Sequence, residues 1–164
     1  ATNLITGIGH AYFDSVPTVF ITGQVNTFES KGRSGIRQKG FQETDIVSMV
    51  RSITKWATYV DCAEDIPGIL IKAFDIAECG RKGPVLIDIP MDIFRSDINV
   101  DKLSISENKA NPHDMKAVEE FKKTIDSLLN HSQRPCLLIG NGIKLDDQVE
   151  QIREMLRGCP ISVV

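Results

Sequence analysis

Residues Pro84–Ile89, with the sequence PVLIDI, form a nearly continuous apolar run that is short enough for a single strand. Strands of a parallel sheet are covered on both faces, so their sequences lack the alternation of half-exposed strands. A helical pattern precedes this run and ends at Gly80. Because parallel strands need long crossover connections, usually helices, we predict an α/β fold built on a parallel sheet.

The first 25 residues contain a second candidate strand, and a helix precedes it. Apolar residues at helical spacing predict one buried helix face: Leu4, Ile5, Ile8, Ala11 and Tyr12. The apolar run Thr18–Ile21 predicts a buried strand, and Thr22-Gly23-Gln24 predicts a turn at its carboxyl end. Ligands bind beyond the carboxyl ends of strands in open α/β sheets, so this turn is expected to border a pocket.

Three more elements are predicted before Gly80. Helical periodicity over Phe41–Val50 predicts a helix, and the β-branched and aromatic residues of Ile53–Val60 predict a strand. A longer helix begins at Glu64, has Pro67 in its first turn and ends at Gly80. Its expected apolar stripe consists of Ile66, Ile69, Leu70, Ala73, Phe74 and Ala77.

Residues 25–40 form a long polar segment with four basic side chains: Lys31, Arg33, Arg37 and Lys39. Connections in compact domains are usually about four to six residues long, so this length needs an explanation. One interpretation is a solvated, partly disordered loop. The other is an active-site loop whose cations contact an anionic substrate or a neighbouring subunit.

Residues 94–111 lack a sustained hydrophobic period and are rich in Ser, Asn, Asp and Lys, which predicts a linker. We therefore predict a first domain at 1–98, a linker at 99–110 and a second domain at 111–164. The second domain is expected to begin with a helix, because Asn111 suits an N-cap and Pro112 a first helical position.

A short β-α-β pattern follows in the second domain. Cys136–Ile139 and Ile161–Val164 predict buried strands on either side of one helix. Gly140 and Gly142 lie directly after the first strand, as in the first half of a dinucleotide-binding fingerprint. Leu145 occupies the place of the third glycine, so this motif alone is a weak indication of nucleotide binding.

Charge and composition exclude several classes of protein. The chain has 19 Lys and Arg residues against 22 Asp and Glu, a formal net charge of -3, which disfavours nucleic acid as the main partner. No apolar run approaches the roughly 20 residues of a membrane span, so no membrane partner is expected. We expect a cytoplasmic protein. Its four widely spaced cysteines are expected to be buried reduced thiols: Cys62, Cys79, Cys136 and Cys159.

Four segments resemble one family of enzymes. The first is ATNLxTGIxxAxxDSxPxxxITGQV at residues 1–25, where x marks positions outside the motif. The others are GFQETDIV at Gly40–Val47, ITKW at Ile53–Trp56 and GRKGPVLIDIPMD at Gly80–Asp92. In this order they resemble the pyrimidine-binding domain of thiamine diphosphate enzymes of the acetolactate synthase type.

The resemblance implies a fold, an activity and an assembly. Residues 1–98 are expected to be most of a pyrimidine-binding domain, and residues 111–164 the start of a Rossmann-like central domain. The expected parent is a carboligase or decarboxylase that acts on a 2-keto acid with thiamine diphosphate and Mg²⁺. The central domain holds FAD in some members of the family and ADP in others. Because the family's active site forms between two subunits, a homodimer or tetramer is expected.

The resemblance also assigns roles to residues. Those expected to bind the cofactor are Asn3, Gly23, Gln24 and Gln42. Those expected to line the substrate pocket are Val25, Phe41 and Met91. Those expected near a nucleotide are Arg81, Gly140 and Gly142. Taken alone, the Phe41–Gln42 pair also fits ordinary packing at a helix start, and Arg81 also fits a surface cation beside a helix C-terminus.

No catalytic residue and no metal ligand are assigned within the chain. The family's activating glutamate lies upstream of the ATN motif, and the motif for diphosphate and Mg²⁺ lies in the C-terminal domain. The chain begins without Met and finishes within the expected strand Ile161–Val164. We therefore expect an internal fragment that is not catalytically competent alone.

Two alternatives to an acetolactate synthase stay open. One is a noncatalytic nucleotide-binding or assembly module. The other is a family member with a sugar-like substrate, either a decarboxylase or a C–C hydrolase. Acetolactate synthases usually carry Lys at the position of Met91, and Met cannot supply that charge. Together with the basic segment at 25–40, this difference favours a relative with other chemistry.

Overall fold

A computed structural model of the chain describes residues 1–98, 115–158 and 161–164. The chain divides into two compact units, Ala1–Ala110 and Asn111–Val164. Each unit combines helices with a small parallel sheet, which confirms the predicted α/β fold class.

Three parallel strands form the sheet of the first unit: β1 (Thr18–Gln24), β2 (Trp56–Tyr59) and β3 (Pro84–Pro90). Their order is β1-β3-β2, so the strand predicted from the apolar run lies in the centre. Every residue of β3 is buried, as expected for a central parallel strand. In the register, Thr22 lies opposite Asp88 and Gln24 opposite Pro90, so the carboxyl ends of β1 and β3 meet at one edge.

Four helices accompany this sheet: α1 (Ile5–Phe13), α2 (Ile46–Val50), α3 (Ile66–Glu78) and, directly after β3, the short α4 (Met91–Phe94). Side chains of α1 and α2 pack with Leu86 on one face, whereas α3 packs with Val85 and Ile87 on the other. Successive strand residues point to opposite faces, which places these side chains in two separate cores. Full burial of each Leu or Ile side chain stabilises the fold by about 1.5–3 kcal/mol.

Helix α3 begins at Ile66, two residues after its predicted start, because Ala63–Asp65 form a 3-10 turn, and it ends as predicted before Gly80. Pro67 lies in the first turn, and Gly80 follows the last turn with a φ of +59°, which glycine adopts without steric cost. Phe74 is 57% exposed, against expectation, because it is turned about 100° around the helix from the buried Ala73. The other predicted stripe residues are buried or half-buried: Ile66, Ile69, Leu70, Ala73 and Ala77.

The buried face of α1 is narrower than predicted. Ile8 and Ala11 are buried, but Leu4 and Tyr12 are exposed. Leu4 belongs to a 3-10 turn that precedes the helix, so it does not share the helical face. The ring of Tyr12 packs edge-on against Phe13 at the surface, with 5.6 Å between the ring centroids.

The strand boundaries differ from prediction in two places. The turn expected at Thr22-Gly23-Gln24 is wrong, because these residues remain paired with β3 as far as Pro90. β2 begins at Trp56 instead of Ile53, because Arg51–Ile53 form a 3-10 turn.

The described part of the second unit consists of α5 (Met115–His131), β4 (Cys136–Leu137), α6 (Gly142–Leu145), α7 (Val149–Leu156) and β5 (Ser162–Val163). β4 and β5 pair in parallel. Two helices stand between them where one was predicted, because Asp147 interrupts the helix with a φ of +55°. The predicted linker at 99–110 and the helix start at Asn111 and Pro112 lie outside the described residues.

Apolar side chains of the second unit are more exposed than predicted. The stripe of α5 is exposed along its length: Met115, Val118, Phe121, Ile125, Leu128 and Leu129. Val163 and Val164 are also exposed, so the second strand is not buried. A two-stranded sheet offers little surface for burial, which explains both differences. Within the described ranges, no helix is long and apolar enough to cross a membrane.

Three cysteines are free and exposed, so the expectation of buried thiols is wrong for them: Cys62, Cys79 and Cys136. Cys62 follows β2, Cys79 caps the C-terminal end of α3, and Cys136 begins a short exposed strand. Each therefore lies at the end of an element and not in a core. Cys159 lies outside the described residues.

Candidate functional site

A cavity of about 890 Å³ opens at the edge where β1 and β3 end. It is lined by all seven residues of the first unit that the resemblance assigned to the cofactor or the substrate: Asn3, Gly23, Gln24, Val25, Phe41, Gln42 and Met91. Five further residues on its described wall were not predicted: Ala1, Thr2, Thr44, Phe94 and Arg95. The residues come from four separate parts of the chain, which the parallel register of β1 and β3 brings together.

The side chain of Gln24 is held entirely by neighbouring protein groups. Its Nε2 donates to Asp88 Oδ2 (2.9 Å) and to the backbone oxygen of Thr44 (2.8 Å). Its Oε1 accepts a hydrogen bond from the backbone N–H of Val25 (3.0 Å). Because both amide hydrogens are engaged, Gln24 supports the wall of the cavity and has no donor left for a ligand.

Asp88 is a buried carboxyl group beneath the cavity, with 1% of its surface exposed. It lies in β3 and accepts hydrogen bonds from Thr22 Oγ1 (2.6 Å) and from Gln24. Burial raises the pKa of Asp88, and the hydrogen bonds from Thr22 and Gln24 partly offset that rise. These bonds join β3 to β1 and, through Gln24, to the residues after Phe41.

Phe41 and Gln42 lie in a turn before α2 and not in a helix. Gln42 has a φ of +58°, and the turn is closed by a hydrogen bond from Glu43 N–H to the oxygen of Gly40 (3.2 Å). Helix α2 begins later than predicted because Asp45 caps it, accepting from the backbone N–H of Ser48 (3.0 Å).

This turn presents two side chains to the cavity. Phe41 is 87% exposed, so helix-start packing does not explain the pair. Gln42 is also exposed, and its amide can donate and accept hydrogen bonds. The pair therefore offers one apolar surface and one polar group to a ligand.

The basic segment at 25–40 is folded around the carboxylate of Glu43. Glu43 accepts hydrogen bonds from the backbone N–H groups of Lys31 (2.7 Å), Lys39 (2.9 Å) and Gly40 (3.3 Å), and from Ser30 Oγ (3.2 Å). Desolvation alone would raise the pKa of Glu43, but these four hydrogen bonds outweigh it and hold the pKa below its ordinary value.

The cations of this segment do not reach the cavity. Lys31 Nζ donates to the backbone oxygen of Arg37 (3.1 Å), and Lys39 Nζ donates to that of Phe28 (2.7 Å). The described wall of the cavity includes no lysine or arginine from residues 25–40. Contact of these cations with an anionic substrate or a neighbouring subunit stays a prediction, and any such contact would lie outside the described wall of this cavity.

A second connection attaches the basic segment to the end of β3. The backbone N–H of Thr27 donates to both carboxylate oxygens of Asp92 (3.0 and 3.1 Å), and its hydroxyl donates to Oδ2. The hydrogen bond from the Thr27 hydroxyl is the main cause that lowers the pKa of Asp92. Asp92 directly follows Met91, so this contact holds the segment beside the cavity wall.

The predicted nucleotide residues are not among the described residues of the cavity wall. Arg81 is at the opposite edge of the sheet, where its Nε donates to Ser15 Oγ (2.9 Å) before β1 begins. Gly140 and Gly142 are in the second unit, and a Cβ atom at either would meet nothing within 4 Å. Neither has a positive φ, so the described structure contains no feature that requires glycine there. Among the described residues, no group of three or more His, Cys, Asp or Glu side chains could hold a metal ion.

Two charged residues of the candidate site were not predicted from the sequence: Arg95 on the cavity wall and Asp88 beneath it. Arg95 lies four residues after Met91, and that spacing within a helical turn is the one signal that could have indicated it. Asp88 lies within an apolar strand, and a lone acid in such a run indicates a buried partner.

Comparison with known proteins finds acetolactate synthases from several organisms. No family model matches the chain. The chain is 37% identical over 169 residues to the acetolactate synthase large subunit of Buchnera aphidicola subsp. Acyrthosiphon pisum, a match that covers 99% of this chain. It is 37% identical over 158 residues to the isozyme 2 large subunit of Escherichia coli K12, covering 95% of this chain.

A eukaryotic relative is similar to the same degree. The chain is 39% identical over 152 residues to the mitochondrial acetolactate synthase catalytic subunit of Saccharomyces cerevisiae, covering 87% of this chain. The matches span only 28%, 27% and 21% of the three relatives' own lengths. The chain therefore belongs to the acetolactate synthase-like family and corresponds to about a quarter of the length of these relatives.

Proposed function

We propose that the full-length protein carrying this chain is a thiamine diphosphate-dependent enzyme that acts on a 2-keto acid. In this proposal residues 1–98 belong to its pyrimidine-binding domain. The observation that carries the proposal is the convergence of seven family-assigned residues on one cavity at the carboxyl ends of β1 and β3. Ligand sites of open α/β sheets lie at this edge.

The groups on the cavity wall suit the pyrimidine ring of thiamine diphosphate. Asn3 and Gln42 are exposed amides that can donate to and accept from ring nitrogens and an amino group. Val25, Phe41 and Met91 supply the apolar surface that such a ring needs. Thiamine diphosphate held by these residues would supply a carbon nucleophile for the keto group and an electron sink for decarboxylation.

The chain's own residues would bind, orient and shield the reactants. Asn3 and Gln42 hold the ring, while Phe41 and Met91 exclude water from one side of it. Gln24 acts indirectly, because its hydrogen bonds hold Thr44 and Val25 in place. The activating glutamate and the Mg²⁺ ligands are expected in parts of the protein beyond this segment.

The names of the relatives support carboligation between 2-keto acids, since all three are acetolactate synthases. Met91 lies on the cavity wall and supplies an apolar group where those enzymes usually carry Lys. We therefore propose that this enzyme differs from standard acetolactate synthases in the 2-keto acid or acceptor that it prefers.

Assembly, location and the central domain belong to the same proposal. Two relatives are called large subunits, which supports an enzyme built from several chains, and we propose a homodimer or tetramer. The parallel pairing of β4 and β5 supports a Rossmann-like start for the second unit, which would take FAD or ADP. A cytoplasmic location stays a prediction that cell fractionation would test.

The test is thiamine diphosphate-dependent release of CO2 from a panel of 2-keto acids by the purified full-length protein with Mg²⁺. We expect turnover of at least one 2-keto acid and none when the cofactor is removed. Absence of turnover together with absence of thiamine diphosphate binding would refute the enzyme. Efficient conversion of pyruvate to acetolactate would refute only the altered preference inferred from Met91.

A further inference from the structure

The cavity wall contains one ionised side chain among its described residues, that of Arg95. The other lining side chains are apolar or neutral polar groups, and no carboxylate is among them. Asp88 and Asp92 are close in the chain but are hydrogen-bonded to Gln24 with Thr22 and to Thr27, respectively. A ligand in this cavity therefore meets one cationic side chain and no carboxylate on the described wall.

The backbone fixes Arg95 on the same side as Met91. The N–H of Arg95 donates to the oxygen of Met91 (3.2 Å), the hydrogen bond of one helical turn. Residues four apart in a helical turn lie on one face, so both side chains line the cavity. A cation therefore lies one turn after Met91 on the same side of the cavity.

No described side chain engages the guanidinium of Arg95, so it is available to bind a ligand. It is exposed and makes no hydrogen bond or ion pair with a side chain among residues 1–98, 115–158 and 161–164. A guanidinium stays ionised at any physiological pH and matches a carboxylate with two parallel hydrogen bonds. Phe94 and Met91 on the same wall supply apolar surface for the rest of the ligand.

We infer that Arg95 binds the carboxylate of the substrate and so selects 2-keto acids over neutral carbonyl compounds. This inference rests on the proposed function, since it names the residue that recognises the substrate class. Arg95 is a specificity-determining residue, because it holds the group that leaves as CO2 and takes no part in proton transfer.

The experiment measures binding of pyruvate and of its neutral analogue pyruvamide to the full-length protein without thiamine diphosphate, by ligand-observed NMR titration. Arg95→Met should weaken pyruvate binding roughly tenfold or more, as expected for loss of a charge-assisted hydrogen-bonded pair, and leave pyruvamide unchanged. The double variant Arg95→Met with Met91→Lys should recover much of the lost affinity, because it moves the cation one turn back.

Arg33→Met is the matched control, because Arg33 is exposed, lies outside the cavity and loses the same charge. It should bind both ligands as the wild type does. Pyruvate binding to Arg95→Met within twofold of wild type would overturn the inference. So would an equal loss of both ligands, which indicates a structural role, or no binding of pyruvate to wild type. The proposed enzyme fails separately if wild type binds pyruvate through Arg95 but releases no CO2 from any 2-keto acid.

Discussion

Asp88 shows how one buried residue organises the site from below. Its carboxyl group joins Thr22 of the neighbouring strand to the amide of Gln24, and that amide holds Thr44. Replacing Asp88 with a residue that accepts no hydrogen bond would leave the buried hydroxyl of Thr22 and one amide hydrogen of the half-buried Gln24 without this partner. Leaving a buried donor unpaired costs about 1–3 kcal/mol.

We predict that Asp88→Ala lowers the free energy of unfolding of the full-length protein by about 1–3 kcal/mol. The two donors left without Asp88 destabilise the fold, and removal of a buried carboxyl group offsets part of that cost. Urea titration measures the change. Asp88→Asn is the matched variant, because it keeps the shape and one acceptor oxygen and should cost less. Equal destabilisation by both variants would contradict the role given to the carboxyl group.

Gly40 is required by a close approach next to the cavity. A Cβ atom there would lie 2.9 Å from Val25 Cγ1 and 3.1 Å from the backbone oxygen of Glu29. We predict that Gly40→Ala lowers the thermal midpoint and weakens ligand binding, because Val25 and the backbone at Glu29 must move. Gly68→Ala is the control: nothing lies within 4 Å of its Cβ position, and in a helix Ala is favoured over Gly by about 0.5–1 kcal/mol. A higher midpoint for both variants would contradict the close approach.

At the scale of the element, the segment at 25–40 depends on one carboxylate. Glu43 has a pKa below its ordinary value of 4.5 in the folded protein. A lowered pKa means that its contribution to stability is complete above pH 4.5 and is lost as the pH falls through the lower folded value.

We therefore predict that acid opens this segment before it unfolds the sheet. Hydrogen exchange of the full-length protein, followed by mass spectrometry, should show faster exchange over residues 31–40 as the pH falls below 4.5, after correction for intrinsic rates. Glu43→Gln cannot titrate, so its corrected exchange should be faster at neutral pH and independent of pH over this range. The same pH dependence in wild type and Glu43→Gln would exclude this carboxylate as the cause.

The sequence predicted elements with a local cause and missed those set by distant partners. β3 and α3 follow from an apolar run and from a helical stripe with Pro67 and Gly80 at its ends. The late start of α2 was missed, because the turn at Gln42 depends on contacts of Gln24 and Glu43 and not on helical periodicity.

The same limit applies to the site. Its seven residues were named through the family resemblance, and local patterns alone favoured none of them except the strand end at Gly23. The pair Gln24–Asp88 is separated by 64 residues and exists only because β1 and β3 adopt one register. Arg95 was missed because it lies within residues 94–111, whose polar composition predicted a linker.

At the scale of the whole molecule, the chain supplies the wall of one candidate ligand site. All of the described residues that line the cavity at the carboxyl edge of the sheet belong to the first unit. The matched relatives are about four times as long as this segment. The proposed activity therefore belongs to the full-length protein, and residues 1–98 contribute the proposed recognition of the pyrimidine ring.

Calorimetric titration of the full-length protein with thiamine diphosphate in the presence of Mg²⁺ tests this account most directly. Wild type and the control Arg33→Met should bind with the same affinity. Gln42→Leu keeps the volume of the side chain but removes its hydrogen-bonding groups, and it should bind roughly tenfold more weakly. Wild-type affinity in Gln42→Leu, or no binding to wild type, would contradict the assignment of this cavity to the cofactor.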